Sequence, residues 1–110
     1  MQPMSTMKSA RQPVPAAPTT LTLTYQGRPH PVDKDRYMLG RSKSGADLRL
    51  DDANVSRQHA MIERVGNAFY VVDLGSTNGV YVGGERVARR ALRDGDVIEI
   101  TTHQITVTLG

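Results

Sequence analysis

The chain contains several short runs in which apolar and polar residues alternate with a period of two. Leu21–Tyr25 (LTLTY) is the clearest run, and residues 48–50 repeat the pattern. Residues 104–109 alternate in the same way and follow Val97–Ile100 in a predicted closing hairpin, and residues 37–39 form a further apolar run. Because successive side chains of a strand face opposite sides of its sheet, this pattern predicts half-buried β-strands.

Turn residues separate these runs and predict hairpins between them. Residues 60–65 are followed by Gly66-Asn67, and residues 68–72 supply the returning strand. Gly83-Gly84 predicts a second tight turn. Residues 85–92 also admit one or two turns of helix, but no segment shows a sustained helical period. The spacing of the runs favours an all-β sandwich or barrel.

Length and composition indicate a single domain with a tail. The chain has 110 residues, of which 38% are hydrophobic, so one modest core can form. There is no cysteine, which excludes a disulfide scaffold and thiolate zinc sites. No apolar run is long enough for a membrane span, and no signal peptide is seen. Residues 1–20 hold four of the six prolines and predict a disordered tail, with the domain at 21–110.

The net charge of +3 raises the question of nucleic-acid binding, but its distribution argues against it. Lys8 and Arg11 lie in the tail, where there is no acidic residue. Residues 21–110 carry 12 bases against 11 acids and are nearly neutral. A duplex binder concentrates its bases on one face, and a single-strand binder needs more aromatic residues than Phe69 and four tyrosines. We therefore expect no nucleic-acid partner.

Three polar loops hold residue types that a strand scaffold does not need. They are residues 40–47 (GRSKSGAD), 54–59 (NVSRQH) and 73–79 (DLGSTNG). Together they offer guanidinium groups, hydroxyls, an amide and backbone N–H groups that glycine leaves accessible. These are the donors that bind a phosphate dianion. The sequence therefore predicts an anion-binding site, provided that the loops meet.

The order and spacing of these loops resemble those of the forkhead-associated (FHA) domain. The resemblance is carried by Gly40-Arg41, by Ser56-Arg57-Gln58-His59 and by residues 75–79 (GSTNG), and it covers about residues 21–110. It implies a sandwich of eleven strands whose loops at one end bind phosphothreonine peptides. It also implies a non-enzymatic protein-interaction module in Ser/Thr-kinase signal transduction.

The resemblance also implies a role for each matched residue. Phosphothreonine and peptide contacts fall on five positions: Arg41, Ser56, Arg57, Thr77 and Asn78. Asn54 lies where the family often reads the residue three after the phosphothreonine, so a weaker effect on peptide specificity is expected there. Lys43 is a solvated loop charge by its own chemistry, and we expect it to add only a weak attractive field that affects peptide specificity. Structural support of the site falls on Gly40, His59, Gly75 and Gly79.

Catalytic and metal-binding interpretations of these residues are weaker. Ser56, His59 and Asp73 suggest a hydrolase triad, but there is no Gly-x-Ser-x-Gly motif. Residues 75–79 lack the Gly-Lys-Ser/Thr of a nucleotide loop, and the three histidines lack metal-ligand spacing. We expect no enzymatic activity, no cofactor and no metal.

The expected partners are a phosphothreonine-containing protein or peptide and a Ser/Thr protein kinase. We expect a cytoplasmic monomer with no membrane partner. The alternative is an FHA-type assembly domain that binds proteins without phosphate. A further hypothesis concerns Thr6, which would reach the loops of its own domain if it were phosphorylated.

Overall fold

The computed structural model describes residues 19–110, and they form strands, turns and loops without a helix. Apart from Thr19 and Thr20, the predicted tail lies outside the described residues, as does Thr6, so both remain predictions. The strands are β1 Leu21–Tyr25, β2 Arg28–Pro31, β3 Arg36–Gly40, β4 Leu48–Arg49, β5 Ala60–Val65, β6 Ala68–Asp73, β7 Tyr81–Val82, β8 Glu85–Arg86, β9 Arg89–Ala91, β10 Val97–Ile100 and β11 His103–Leu109.

The eleven strands form two sheets that pack face to face. The first sheet has the order β2-β1-β11-β10-β7-β8, and the second has the order β4-β3-β5-β6-β9. Every pair is antiparallel except β3 with β4, which is parallel. This arrangement confirms the predicted all-β sandwich and its strand number.

The core lies between the sheets and follows the alternation in the sequence. In β1, Leu21 and Leu23 are buried, whereas the threonines between them are only partly covered. Leu50, Val55 and Val80 lie outside the strands, yet each is at most 1% exposed. Since burial of such a side chain contributes about 1.5–3 kcal/mol, these three residues anchor the adjoining loops to the sandwich.

Strand β2 is an element that the sequence pattern did not predict. Pro29 and Pro31 break the alternation, and a proline cannot donate a hydrogen bond within a sheet. The structure places both prolines in an edge strand that pairs only with β1. An edge strand needs donors on one side alone, so it tolerates residues that a central strand would exclude.

Residues 85–92 form two short strands and no helical turn. Arg86 of β8 pairs with Tyr81, and Arg90 of β9 pairs with Val71. Gly83 and Gly84 have positive φ angles of 60° and 84°, which builds the predicted tight turn between β7 and β8. The helical alternative is therefore wrong, because pairing with strands that are distant in sequence outweighs a weak local preference.

The strand register brings the three polar loops to one end of the sandwich. Leu39 at the end of β3 pairs with Ala60 at the start of β5. Ala60 also pairs with Asp73 at the end of β6. The segments that leave β3, enter β5 and leave β6 are therefore neighbours, although up to 39 residues separate them in the sequence.

Candidate functional site

A close backbone contact at Gly40 places the first two loops against each other. A Cβ atom on Gly40 would lie 2.2 Å from the Arg57 carbonyl oxygen, so only glycine fits here. The Arg41 N–H donates to the Ser56 carbonyl at 3.1 Å, and the Ser42 N–H donates to the Arg57 carbonyl at 3.2 Å. The Arg41 Nε also donates to the Val55 carbonyl at 2.9 Å. Arg41 is thereby held beside Ser56 and Arg57.

The imidazole of His59 joins the second loop to the third. The Ser56 N–H donates to Nδ1 at 3.0 Å, and Nε2 lies 2.8 Å from the Gly79 carbonyl oxygen. A backbone N–H can only donate and a carbonyl can only accept, so the ring is the tautomer with hydrogen on Nε2. His59 is fully buried and lies beneath the loops. The structure thus gives it a bracing position and no access to a ligand.

The third loop is held by its own side chains. Asp73 Oδ1 accepts from the Ser76 N–H at 3.1 Å, and Ser76 Oγ accepts from the Gly79 N–H at 2.9 Å. Gly75 and Gly79 have positive φ angles of 73° and 84°, which other residues rarely adopt. Ser76 is only 8% exposed. The sequence analysis missed this role of Ser76, because its only local signal was a hydroxyl in a glycine-bracketed turn.

A groove of about 510 Å³ opens between the three loops at this end of the sandwich. The residues that line it are Arg41, Ala53, Asn54, Val55, Ser56, Arg57, Thr77 and Asn78. All five predicted phosphothreonine contacts therefore share one groove, together with Asn54. Lys43 lines a neighbouring groove instead.

Some polar groups of this groove form hydrogen bonds with one another, and they keep further donors and acceptors that a ligand can use. The Thr77 N–H donates to Ser56 Oγ at 3.4 Å, so the hydroxyl hydrogen of Ser56 stays available to a ligand. Asn78 Nδ2 donates to the Asn54 carbonyl at 2.7 Å and retains its Oδ1 as an acceptor. Among the lining residues there are two guanidinium groups and no carboxylate. The groove is therefore built for an anion.

A chain of hydrogen bonds beside the groove ties the second loop to the opposite sheet. The Tyr25 hydroxyl lies 2.7 Å from His103 Nδ1, and His103 Nε2 lies 2.8 Å from Asp52 Oδ2. Asp52 Oδ1 accepts from the Asn54 N–H at 2.9 Å. The Asn54 N–H and, after it, His103 hold the pKa of Asp52 below its ordinary value. Burial and then the Asp52 charge raise the pKa of Tyr25.

Other kinds of site find no support in the described part of the chain. Within residues 19–110 there is no group of three His, Cys, Asp or Glu residues that could hold a metal ion. The same residues include no helix with the length and apolarity to cross a membrane. Ser56 and His59 are joined through the backbone N–H of Ser56, and Nδ1 and Nε2 of the ring are both occupied. This geometry does not activate the Ser56 hydroxyl as a nucleophile.

Comparison with known proteins identifies the family. The model of the FHA domain matches residues 37–101, which is more than half of the chain and includes all three loops. The chain belongs to the FHA domain family. The resemblance predicted from the loops is thereby confirmed.

Two regulatory proteins of mycobacteria are similar to this FHA domain in sequence. The transcriptional regulatory protein EmbR of Mycobacterium tuberculosis is 42% identical over 81 residues, which are 73% of this chain and 21% of EmbR. The glycogen accumulation regulator GarA of Mycolicibacterium smegmatis is 42% identical over 79 residues, which are 72% of this chain and 49% of GarA. The chain thus spans about a fifth to a half of the length of these relatives.

Solved structures share the fold. The structure of M. tuberculosis EmbR in complex with a low-affinity phosphopeptide superposes with a TM-score of 0.77 at 38% identity, covering 81% of this chain and 24% of EmbR. An FHA domain from a study of phosphothreonine-dependent FHA interactions gives a TM-score of 0.76 at 35% identity. It covers 81% of this chain and 95% of that one.

Proposed function

We propose that the groove of this FHA domain binds the phosphate of a phosphothreonine in a partner protein through Arg41, Ser56 and Thr77. The observation that carries the proposal is the meeting of all five predicted contact residues in one groove that lacks a carboxylate. Arg41 supplies the counter-charge, and its Nε bond to the Val55 carbonyl fixes the plane of the guanidinium. The Ser56 hydroxyl donates to a phosphate oxygen.

The peptide backbone is bound on the other side of the phosphate. Asn78 is held by its bond to the Asn54 carbonyl and offers Oδ1 and its second Nδ2 hydrogen to the main chain of the peptide. Arg57 lines the same groove and is exposed. Because both arginines line this groove, Arg57 can add positive charge near Arg41. Because Arg57 is exposed, its guanidinium can do so while it stays hydrated. Asn54 carries no charge and is expected to impose no charge preference on the peptide.

We expect Arg41 to contribute most of the affinity for the phosphopeptide. A phosphothreonine carries about −1.5 to −2 charges at neutral pH. Each hydrogen bond to a charged group contributes about 1.5–3 kcal/mol, and one guanidinium can form two of them. Arg41→Ala should therefore weaken phosphopeptide binding about a hundredfold or more.

Fluorescence anisotropy with degenerate peptide libraries tests the proposal. Phosphothreonine, phosphoserine and unphosphorylated libraries are titrated against the wild type and Arg41→Ala. The matched control is Arg93→Ala, which removes one exposed positive charge from the connection between β9 and β10 and lies in neither groove. We expect binding that requires phosphothreonine, is lost in Arg41→Ala and survives in Arg93→Ala. Binding of all three libraries, or of none by a folded protein, would favour the phosphate-independent assembly domain.

We further infer that the domain acts as a monomer in the cytoplasm, downstream of a Ser/Thr protein kinase. Because binding depends on phosphothreonine, a Ser/Thr kinase must first phosphorylate the partner protein to create the ligand. GarA and EmbR, which share the domain, are named as regulators. Light scattering after size exclusion tests the monomer. Treatment of a non-binding threonine peptide with a Ser/Thr kinase tests the order of events, since binding should appear only after phosphate transfer.

A further inference from the structure

Asp52 organises the turn that leads into the second loop. Its Oδ1 accepts from the Asn54 N–H at 2.9 Å, and its backbone carbonyl accepts from the Val55 N–H at 3.0 Å. A side-chain oxygen that accepts from the backbone two residues later forms an Asx turn, which holds the chain in a tight bend. Asp52 does not line the phosphothreonine groove, so it can influence a ligand there only through this turn.

The turn offers two carbonyl groups to side chains that line the groove. The Asn54 carbonyl accepts from Asn78 Nδ2 at 2.7 Å, and the Val55 carbonyl accepts from Arg41 Nε at 2.9 Å. Asn78 belongs to the third loop and Arg41 to the first. The position of residues 52–55 therefore sets the orientation of groups on two sides of the groove.

Two residues of the first sheet hold Asp52 in place. His103 begins β11, and its Nε2 lies 2.8 Å from Asp52 Oδ2. Tyr25 ends β1, and its hydroxyl lies 2.7 Å from His103 Nδ1. Because a carboxylate can only accept, Nε2 carries the hydrogen in the neutral ring, and the Tyr25 hydroxyl donates to Nδ1. The side chains of His103 and Asp52 are 17% and 23% exposed, so water has limited access to the bond between them.

We propose that His103 is a positioning residue for phosphopeptide binding, which acts through Asp52 on Arg41 and Asn78. Asp52 uses one oxygen for the turn and the other for His103, so loss of the imidazole frees the carboxylate to rotate away from the Asn54 N–H. The proposal rests on the function proposed above, because that function assigns the contacts with phosphate and peptide to Arg41 and Asn78.

A double-mutant cycle tests whether His103 acts through Asp52. A phosphothreonine peptide that binds the wild type is titrated against Asp52→Ala, His103→Ala and the double variant. Since a hydrogen bond to a charged group is lost in each case, we expect Kd to rise about tenfold in Asp52→Ala and about fivefold in His103→Ala. The double variant should bind like Asp52→Ala alone, because the imidazole then has no carboxylate to hold. Effects that multiply would overturn the proposal, since they would show that the two residues act independently.

Conservative variants show whether the bond from Nε2 is the one that matters. A glutamine side chain places an N–H donor near the position of Nε2, whereas the shorter asparagine places its amide near Nδ1. His103→Gln should therefore recover most of the wild-type affinity, and His103→Asn should bind as weakly as His103→Ala. Equal affinities of the Gln and Asn variants would contradict the assignment.

Val107→Ala separates positioning from a general loss of stability. Val107 is 1% exposed and lies in the same strand as His103, about 13 Å further along it. This variant should lower the melting temperature at least as much as His103→Ala and leave Kd unchanged. A rise in Kd equal to that of His103→Ala would assign the effect to stability and overturn the proposal.

The Nε–H signal of Arg41 in ¹⁵N NMR reports its position without any ligand. Its bond to the Val55 carbonyl should slow exchange with water in the wild type and in Val107→Ala. In His103→Ala and Asp52→Ala the exchange should be faster, because the turn no longer holds this carbonyl in place. Unchanged exchange in both variants would show that the turn does not depend on His103 and Asp52.

The outcomes also separate this inference from the proposed function. If the wild type binds phosphothreonine peptides and His103→Ala binds them equally well, the positioning role is wrong and the phosphothreonine function stands. If no phosphothreonine peptide binds to the folded wild type, the proposed function fails and the inference fails with it.

Discussion

Removal of the His59 imidazole should loosen two loops at once. The ring accepts from the Ser56 N–H and donates to the Gly79 carbonyl, and His59 is 0% exposed. In His59→Ala both backbone groups lose their partner. A buried unpaired group costs about 1–3 kcal/mol, and Ser56 is half-buried whereas Gly79 is fully buried. We therefore expect a loss of about 2–4 kcal/mol in the free energy of unfolding, which is a large part of the total stability of a small domain.

Urea denaturation measures this loss, and conservative variants divide it between the two bonds. His59→Asn retains an acceptor near Nδ1, and His59→Gln retains a donor nearer Nε2, so each should restore part of the stability. Phosphopeptide affinity should fall in parallel, because Ser56 and Thr77 lose their relative position. An alanine variant within about 0.5 kcal/mol of the wild type, with unchanged affinity, would refute the reasoning.

The structure also predicts the direction of two further effects, the stability change of Gly40→Ala and the pH dependence of stability in Asp52→Asn. Gly40→Ala places a Cβ 2.2 Å from the Arg57 carbonyl oxygen, so it should cost about 1–3 kcal/mol in thermal or urea unfolding and weaken phosphopeptide binding. A variant with native stability and affinity would contradict this. The Asn54 N–H and, after it, His103 hold the pKa of Asp52 below its ordinary value. The contribution of the Asp52 carboxylate to stability is therefore complete above the unfolded pKa and is lost as the pH falls through the folded pKa. Between about pH 5 and pH 3, the free energy of unfolding measured in urea should therefore fall less steeply for Asp52→Asn than for the wild type. Equal slopes for the two proteins would contradict the assignment.

Much of the fold could be predicted because its signals are local. The alternation of Leu21–Tyr25 and the Gly66-Asn67 turn are readable within a few residues, and both match the structure. The edge strand β2 was not predictable from its prolines, since its pairing depends on β1. Residues 85–92 were ambiguous for the same reason: their structure is decided by β6 and β7, which precede them in the chain.

The candidate site shows the same division between local and distant information. Arg41, Ser56 and Thr77 could be named from the loop motifs, because those motifs occur in a recognisable order. The bonds from His103 to Asp52 and from Arg49 to the Arg41 carbonyl could not be predicted. The first joins residues 51 positions apart, and the second depends on the parallel pairing of β3 with β4. No local pattern encodes such contacts, so they became visible only in the structure.

The outer strands of both sheets protect the domain from self-association. An exposed sheet edge can template the addition of a strand from another molecule. In the first sheet one edge is β2, with its two prolines, and the other is β8, which is only two residues long. In the second sheet the edges are the two-residue β4 and β9, which carries Arg89 and Arg90. Each edge is too short, too poor in hydrogen-bond donors or too highly charged to pair with a strand of another molecule. Many copies of the domain bound close together on a phosphorylated assembly should therefore not aggregate through their sheet edges.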